Sequence, residues 1–345
     1  MTVYNKMKER LPYIDVAKGF AIYLMILGHQ YVSDQTFVYI YSFHMPLFFY
    51  ISGMFFRNSK PFFLNLESAV RGLLIPYLFF SVLNLLICWI SPYLHPELYY
   101  NMKGWEIFRA AINGIFIGTD QVMPTSFLPL GPLWFLVALF VVRVFCSALS
   151  SGIKNEYLWG GVCLFVSIGL FYIINVPVFS LRSAMLSTPF YCMGFLLRRV
   201  DFRNISYKPF LLLVLLIYFV MVVPLNGKCD IDAQNYGNWM VVFYMNSLVG
   251  IFITLLLSTY VGRYGSFVKK MGENTLVILG MVAFFTKPLQ VMSVYLFGYD
   301  SMCSPLYIII VPVLVIIGSM AIAIPIKKYI PFAVGKKKVR QPSDM

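Results

Sequence analysis

Long apolar stretches recur from one end of the chain to the other, each about as long as a membrane-spanning helix. A helix needs about 20 mostly apolar residues to cross the hydrocarbon core of a bilayer. The pattern therefore predicts an all-α, polytopic membrane protein, a bundle of about ten transmembrane helices. The predicted spans lie near residues 12–32, 37–56, 72–94, 130–150, 157–175, 180–199, 208–225, 239–260, 274–297 and 304–326.

Composition supports one membrane-embedded domain over residues 1–345. The chain is 60% hydrophobic and only 12% charged, about half the charged fraction of a soluble domain. The longest connection, 95–129, carries a short apolar piece near 107–117, for which we predict an interfacial or re-entrant helix. No polar stretch is long enough to form a separate soluble domain.

The distribution of basic residues orients the bundle, because cytoplasmic loops carry an excess of Lys and Arg. With both termini in the cytoplasm, most of the 27 basic residues face inward. The outer loops then hold only Lys103, Arg109, Arg182 and Lys228. The net charge of +13 follows from this topology and from contact with anionic membrane lipid, so we predict no nucleic-acid partner.

The first predicted helix carries three ionisable residues, Asp15, Lys18 and His29. Lys18 and His29 are separated by about 1100° of helical turn, so they share one face and lie about 16 Å apart along the axis. Charged residues in a span usually face the bundle interior or a wet cavity. Alternatively, Lys18 extends to the inner interface with Asp15 as its ion-pair partner, and His29 is an ordinary hydrogen-bonded histidine.

The second predicted helix brings another histidine to the same depth. His44 follows a connection of only about five residues, so we expect it beside His29 in the outer half of the membrane. Pro46 loosens the helix near His44. The alternative to a functional role for His44 is a role in packing alone. The third histidine, His95, is predicted to be a plain outer-loop residue.

The cysteines give no metal signature. All six are scattered singly, without a CxxC pair or a Cys/His cluster, so we predict neither a metal site nor a disulfide framework. The residues concerned are Cys88, Cys146, Cys163, Cys192, Cys229 and Cys303.

Two motifs resemble the membrane O-acyltransferases of acyltransferase family 3. Lys18-Gly19 with His29 is similar to the first-helix signature of that family, and residues 43–49 followed by Ser52-Gly53 are similar to the second. The branch it most resembles is that of the fucose 4-O-acetylase-related acetyltransferases. Weaker similarities lie at 71–77, 131–136 and 272–279. The chain departs from the family in having no histidine shortly after 272–279, and only Arg71 where an arginine cluster is usual.

The resemblance implies transfer of an acyl group, usually acetyl, from cytoplasmic acetyl-CoA to a hydroxyl of a surface or lipid-linked carbohydrate in the bacterial inner membrane. Imidazole has an unperturbed pKa near neutrality, so His29 is the predicted general base, with His44 as a second catalytic candidate. The predicted donor-binding residues are Lys18, Arg71 and Arg143, whose charges suit phosphate.

Three further residues are predicted to support the site. Asp15 would hold Lys18 in place. Lys287 would bind phosphate or stabilise an oxyanion. Alternatively, Lys287 forms a structural ion pair, and the same alternative applies to Arg143. Trp134 would stack on a ligand, with an interfacial anchor as the alternative.

The main rival function is a transporter or flippase for lipid-linked glycans, which also needs buried charges and a central cavity. The sequence shows no paired repeats with matching broken helices. A structural or sensor protein is the third reading.

Overall fold

The computed structural model describes residues 11–85, 104–118, 131–176, 178–262 and 265–336. Every regular element within these ranges is helical, which confirms the predicted all-α class. In chain order the main helices are α1 (Pro12–Gly28), α2 (Asp34–Tyr41), α3 (His44–Met54), α4 (Phe62–Leu85), α5 (Gly104–Ile117), α6 (Trp134–Gly152), α7 (Glu156–Ile173), α8 (Leu181–Leu196), α9 (Lys208–Val222), α10 (Met240–Val261), α11 (Ser266–Glu273), α12 (Thr275–Phe297) and α13 (Pro305–Tyr329).

Seven helices in the described part of the chain are long and apolar enough to cross a membrane, namely α4, α6, α7, α9, α10, α12 and α13. The other three predicted windows hold shorter helices: α1 has 17 residues, α8 has 16, and one window holds both α2 and α3. The protein is therefore multi-pass, while the total of ten spans and the cytoplasmic termini stay predictions.

Helix α1 lies at the centre of the bundle and contacts α3, α10, α11, α12 and α13. The short helices α1, α3 and α8 bury most of their residues, whereas α9 buries none. Helix α9 is apolar on all sides and is not buried within the protein, so we expect lipid to surround it. The functional side chains on α1 and α3 are thus held by the most enclosed part of the fold.

The predicted helix over 37–56 is wrong as a single element, because the chain breaks between α2 and α3 at Ser42 and Phe43. Pro46 lies in the first turn of α3, where its missing N–H is tolerated. A continuous helix would instead leave the carbonyl of Ser42 without its usual donor. The break leaves His44 as the first residue of α3.

Other boundaries differ from those predicted. Helix α4 begins at Phe62, ahead of the window that starts at 72, and it includes a π-helical turn at Val70–Leu74. The rest of that window, 86–94, lies outside the described residues, as does His95. Helix α5 confirms that the apolar piece near 107–117 is helical.

Helices α3 and α8 approach each other closely through two glycines. A Cβ atom built on Gly53 would collide with the backbone carbonyl of Tyr191, and one built on Gly194 would collide with that of Tyr50. Small residues at helix interfaces allow this approach in membranes. The Ser-Gly pair in the second family motif therefore has a packing role in this chain.

The substitution Gly194→Ala is expected to lower the free energy of unfolding by about 1–3 kcal/mol, since the added methyl group meets rigid backbone. Thermal unfolding of the detergent-solubilised protein measures the effect. Gly169→Ala is the matched control, because a Cβ at Gly169 meets nothing within 4 Å. Equal melting temperatures for the two variants would contradict the close approach.

Two cysteines predicted to face outward test the orientation of the bundle. Cys303 is exposed in the turn Tyr299–Cys303, whereas Cys229 is buried and its burial raises the pKa of the thiol to about 11. At pH 8 roughly a thousandth of the Cys229 thiol is thiolate, the reactive form. An impermeant maleimide should label Cys303, and not Cys229, in right-side-out vesicles, and Cys303→Ser should abolish the signal. Labelling of Cys303 only after permeabilisation would reverse the predicted topology.

Candidate active site

A cavity of about 190 Å³ lies where the two histidine-bearing segments meet. We call it the histidine cavity. Its lining residues are His29, Tyr41, His44, Met45, Gly131, Pro132, Trp134, Asp230, Ile231 and Asp232. His29 follows the last residue of α1 and His44 opens α3, and both line this one cavity. The segment between them is not the predicted five-residue hairpin, because it contains α2.

Both imidazoles make the same hydrogen bond. Nδ1 of His29 lies 2.7 Å from the carbonyl oxygen of Met25, and Nδ1 of His44 lies 2.7 Å from that of Ile40. A carbonyl oxygen only accepts, so in the neutral rings Nδ1 carries the proton and Nε2 keeps its lone pair. Each Nε2 is therefore a base. The ring of His29 is exposed, while His44 is 1% exposed.

Tyr41 lies between the two histidines, and the sequence analysis did not single it out. Its ring centroid is 4.9 Å from that of His44 and 6.3 Å from that of His29, and it stacks on Phe37 at 3.7 Å. Tyrosine and phenylalanine are so common in this chain that neither spacing nor composition distinguishes this one. Its position follows from the break between α2 and α3.

Asp230 and Asp232 form a second group that the sequence analysis missed. They belong to the connection between α9 and α10, just over 200 residues after His29, yet they line the same cavity. Asp232 is 5% exposed. No local motif marks them, because only the fold brings this connection to α1 and α3.

Asp15 and Lys18 form an ion pair instead of lining a cavity. Lys18 Nζ lies 2.7 Å from Asp15 Oδ1, and the Asp15 side chain is 5% exposed. Helix α11 covers them, with Gly272 against the backbone of Asp15. This is the ion-pair alternative that the sequence left open, and among the described cavities neither the histidine cavity nor the one below has Lys18 in its wall.

A second cavity of about 420 Å³ carries the basic residues. We call it the arginine cavity, and it is lined by Ser52, Phe55, Phe56, Arg57, Lys60, Asn65, Ser68, Arg143 and Tyr191. Arg143 was predicted, whereas Arg57 and Lys60 had been interpreted only as topology signals.

The wall of the arginine cavity is fixed by hydrogen bonds. Asn65 Nδ2 donates to Ser147 Oγ at 3.0 Å, and also lies within reach of the carbonyl oxygens of Arg57 and Lys60. Arg143 Nη2 lies 3.5 Å from Ser68 Oγ. Three cations thus converge on one polar concavity, an arrangement suited to a phosphorylated ligand.

Three other predicted residues, Arg71, Lys287 and Trp134, lie outside the arginine cavity. Arg71 is in the π-helical turn of α4 and ion-pairs with Glu67, outside both cavities. Lys287 is half-buried beside Pro288 in α12 and lines neither cavity. Trp134 is 6% exposed and forms part of the histidine cavity.

The two cavities lie at opposite ends of α3, and each also has a residue of α6 in its wall. Along α3, His44 and Ser52 are about 12 Å apart, and along α6, Trp134 and Arg143 are about 14 Å apart. Aromatic rings fill the interval: the Phe135 centroid lies 5.6 Å from that of Phe48 and 5.0 Å from that of Phe49. We call Phe48, Phe49 and Phe135 the aromatic partition.

Three cysteines that looked isolated in the sequence meet in the structure. The sulfur atoms of Cys146, Cys163 and Cys192, from α6, α7 and α8, all lie within 4.8 Å of one another and are buried. Thiols from three helices can hold a soft metal ion when deprotonated, and as neutral thiols they pack as small apolar groups. None of the three lines either cavity.

Comparison with known proteins identifies the class. A family model described as an acyltransferase domain matches residues 11–324, nearly the whole chain. The chain therefore belongs to acyltransferase family 3, as its first two helix motifs indicated.

Among individual proteins, the nodulation protein NolL of Mesorhizobium japonicum is 28% identical over 198 residues. The match covers 53% of this chain and 46% of NolL, so the chain spans about half the length of this relative. No solved structure matches the chain.

Proposed function

We propose that this acyltransferase moves an acyl group, acetyl by default, from cytoplasmic acyl-CoA to a hydroxyl of a surface or lipid-linked carbohydrate, in the bacterial inner membrane. Family membership supports acyl transfer. The observation that supports the rest is the pair of cavities at opposite ends of α3, one lined by basic residues and one lined by two imidazoles.

The arginine cavity suits the donor, because the phosphates of coenzyme A are multiply anionic. Arg57, Lys60 and Arg143 can supply charge-assisted hydrogen bonds to them. The pantetheine arm is long enough to span the interval between the two cavities, and its passage requires the rings of the aromatic partition to turn aside. Under the predicted orientation the basic end faces the cytoplasm, where acyl-CoA is found.

In the histidine cavity, the role of general base is assigned to His29. A hydroxyl is a weak nucleophile near neutral pH and needs a base within hydrogen-bond reach. Nε2 of His29 takes the hydroxyl proton as the oxygen attacks the thioester carbonyl carbon. A C–O ester bond forms, the C–S bond breaks, and the departing thiolate takes the proton from the imidazolium.

His44 is assigned a positioning role. Its ring is almost completely buried and packs edge-on against Tyr41 at a centroid distance of 4.9 Å. Tyr41 in turn lies next to His29. His44 and Tyr41 together therefore set the shape of the cavity in which the hydroxyl and His29 meet.

The test measures thioester consumption by the purified protein in lipid vesicles. With acetyl-CoA and an extract of surface glycans, we expect release of free coenzyme A that depends on the glycan, and incorporation of labelled acetyl groups. Movement of lipid-linked glycan across the membrane without coenzyme A release would instead support the flippase alternative.

A further inference from the structure

The arginine cavity changes in character from its rim to its enclosed part. Arg57 and Lys60 are exposed, and Arg143 is half-buried. Tyr191 of α8 lines the same cavity and is 0% exposed, and the ring of Phe56 beside it is buried as well. The cavity therefore has a charged rim and an enclosed part without charge.

The hydroxyl of Tyr191 is a buried polar group that has no hydrogen bond. Its oxygen is shielded from solvent, and no described residue donates to it or accepts from it. Arg143 in the same wall carries only donors, so it cannot accept the phenolic proton. An unsatisfied donor in a buried place destabilises a protein. Phenylalanine would fill the same space without this penalty, so the hydroxyl points to an acceptor that comes with a ligand.

The packing of α3 against α8 fixes the position of Tyr191. Its backbone carbonyl lies so close to Gly53 that a Cβ atom there would collide with it. Its ring packs on that of Phe56 at a centroid distance of 5.6 Å. Because backbone and ring are both held, the hydroxyl is a preorganised hydrogen-bond donor.

The proposed acyl donor has two parts of different chemistry. Its nucleotide carries the phosphates, which suit the cations of the rim. Its pantetheine arm is uncharged and contains two amide groups, whose carbonyl oxygens accept hydrogen bonds. A phosphate moved into the enclosed part would lose its water without gaining a cation there, which is unfavourable. A single neutral hydroxyl in that place matches an amide carbonyl.

Resting on the proposed function, we propose that Tyr191 binds the pantetheine arm of the donor, by donating a hydrogen bond from its hydroxyl to an amide carbonyl. Arg57, Lys60 and Arg143 hold the nucleotide at the rim, and Tyr191 directs the arm along α3 toward the aromatic partition. The hydroxyl does not touch the thioester, so Tyr191 is a binding residue and takes no part in the chemical step.

The variant Tyr191→Phe separates binding from a structural role. Without ligand, the detergent-solubilised variant should melt at the native temperature or higher, because it lacks the unsatisfied hydroxyl. Its Kd for coenzyme A, measured by calorimetry, should rise about 10-fold, the loss expected for one buried hydrogen bond. Its Kd for adenosine 3′,5′-bisphosphate, which has phosphates but no pantetheine arm, should stay unchanged. Arg143→Ala should weaken the binding of both ligands.

The matched control is Tyr50→Phe. The Tyr50 hydroxyl is also buried and makes no hydrogen bond to a described residue, but Tyr50 lines neither cavity. This variant should bind coenzyme A with native affinity.

Three results would overturn the inference and leave donor binding standing: native affinity of Tyr191→Phe for coenzyme A, an equal loss for the bisphosphate, or a clearly lower melting temperature of that variant without ligand. Failure of the native protein to bind either coenzyme A or acetyl-CoA would count against the proposed function itself, and the inference would fall with it.

Discussion

Replacement of His29 by alanine is expected to lower the rate of acyl transfer by about a thousandfold. A positioned general base contributes roughly 10²–10⁴-fold, and Nε2 of His29 is the basic nitrogen on the most exposed ring of the histidine cavity. The variant should fold normally, because His29 follows α1 and is not part of the core. Labelled acetyl transfer by equal amounts of purified protein measures the loss.

Two other histidine variants sharpen this test. His44→Gln should retain more activity than His29→Ala, since its proposed role is to position its neighbours. His95→Ala is the control, because the sequence predicts a plain loop residue there. Normal transfer by His29→Ala, with intact expression and melting temperature, would remove His29 from the mechanism.

Replacement of Arg143 by alanine is expected to raise the KM for acyl-CoA about 10- to 100-fold with a smaller change in kcat. Hydrogen bonds to charged groups contribute about 1.5–3 kcal/mol, and the loss of binding shared by ground state and transition state appears in KM. Arg143→Lys should fall between alanine and the native residue, because lysine keeps the charge and loses the planar donor geometry. Initial rates across a range of donor concentrations measure both constants.

The matched control for Arg143 is Arg199→Ala. Arg199 is 66% exposed, pairs weakly with Glu156, and lines neither described cavity. Its KM for acyl-CoA should equal that of the native enzyme. The double variant Arg57→Ala with Arg143→Ala should bind the donor still more weakly; an unchanged donor KM in that variant would dissociate the arginine cavity from donor binding.

The sequence predicted the features that depend on local spacing. Periodicity and hydropathy predict the helical class. The closeness of the first two windows predicted that His29 and His44 lie near each other, and both line one cavity although α2 lies between them. A helix register predicts which residues share a face, so Asp15 and Lys18 were correctly expected as close neighbours. These inferences need only the geometry of one helix or one hairpin.

The rest depends on contacts between distant segments, which one sequence does not contain. Asp232 lines the histidine cavity only because the connection between α9 and α10 returns to it, and Arg57 and Arg143 line one cavity although they lie far apart in the chain. Lys18 shows the converse: it pairs with Asp15, its neighbour on the same helix, and it lines neither cavity. The three clustered thiols were hidden for the same reason.

The aromatic partition has a consequence for the cell that houses the protein. The rings of Phe48 and Phe49 pack tilted and edge-on against Phe135, so in the part of the chain that the structure describes an apolar contact lies between the two cavities. We expect this apolar contact to hinder the passage of protons and small ions from one cavity to the other, which preserves the ion gradient across the membrane.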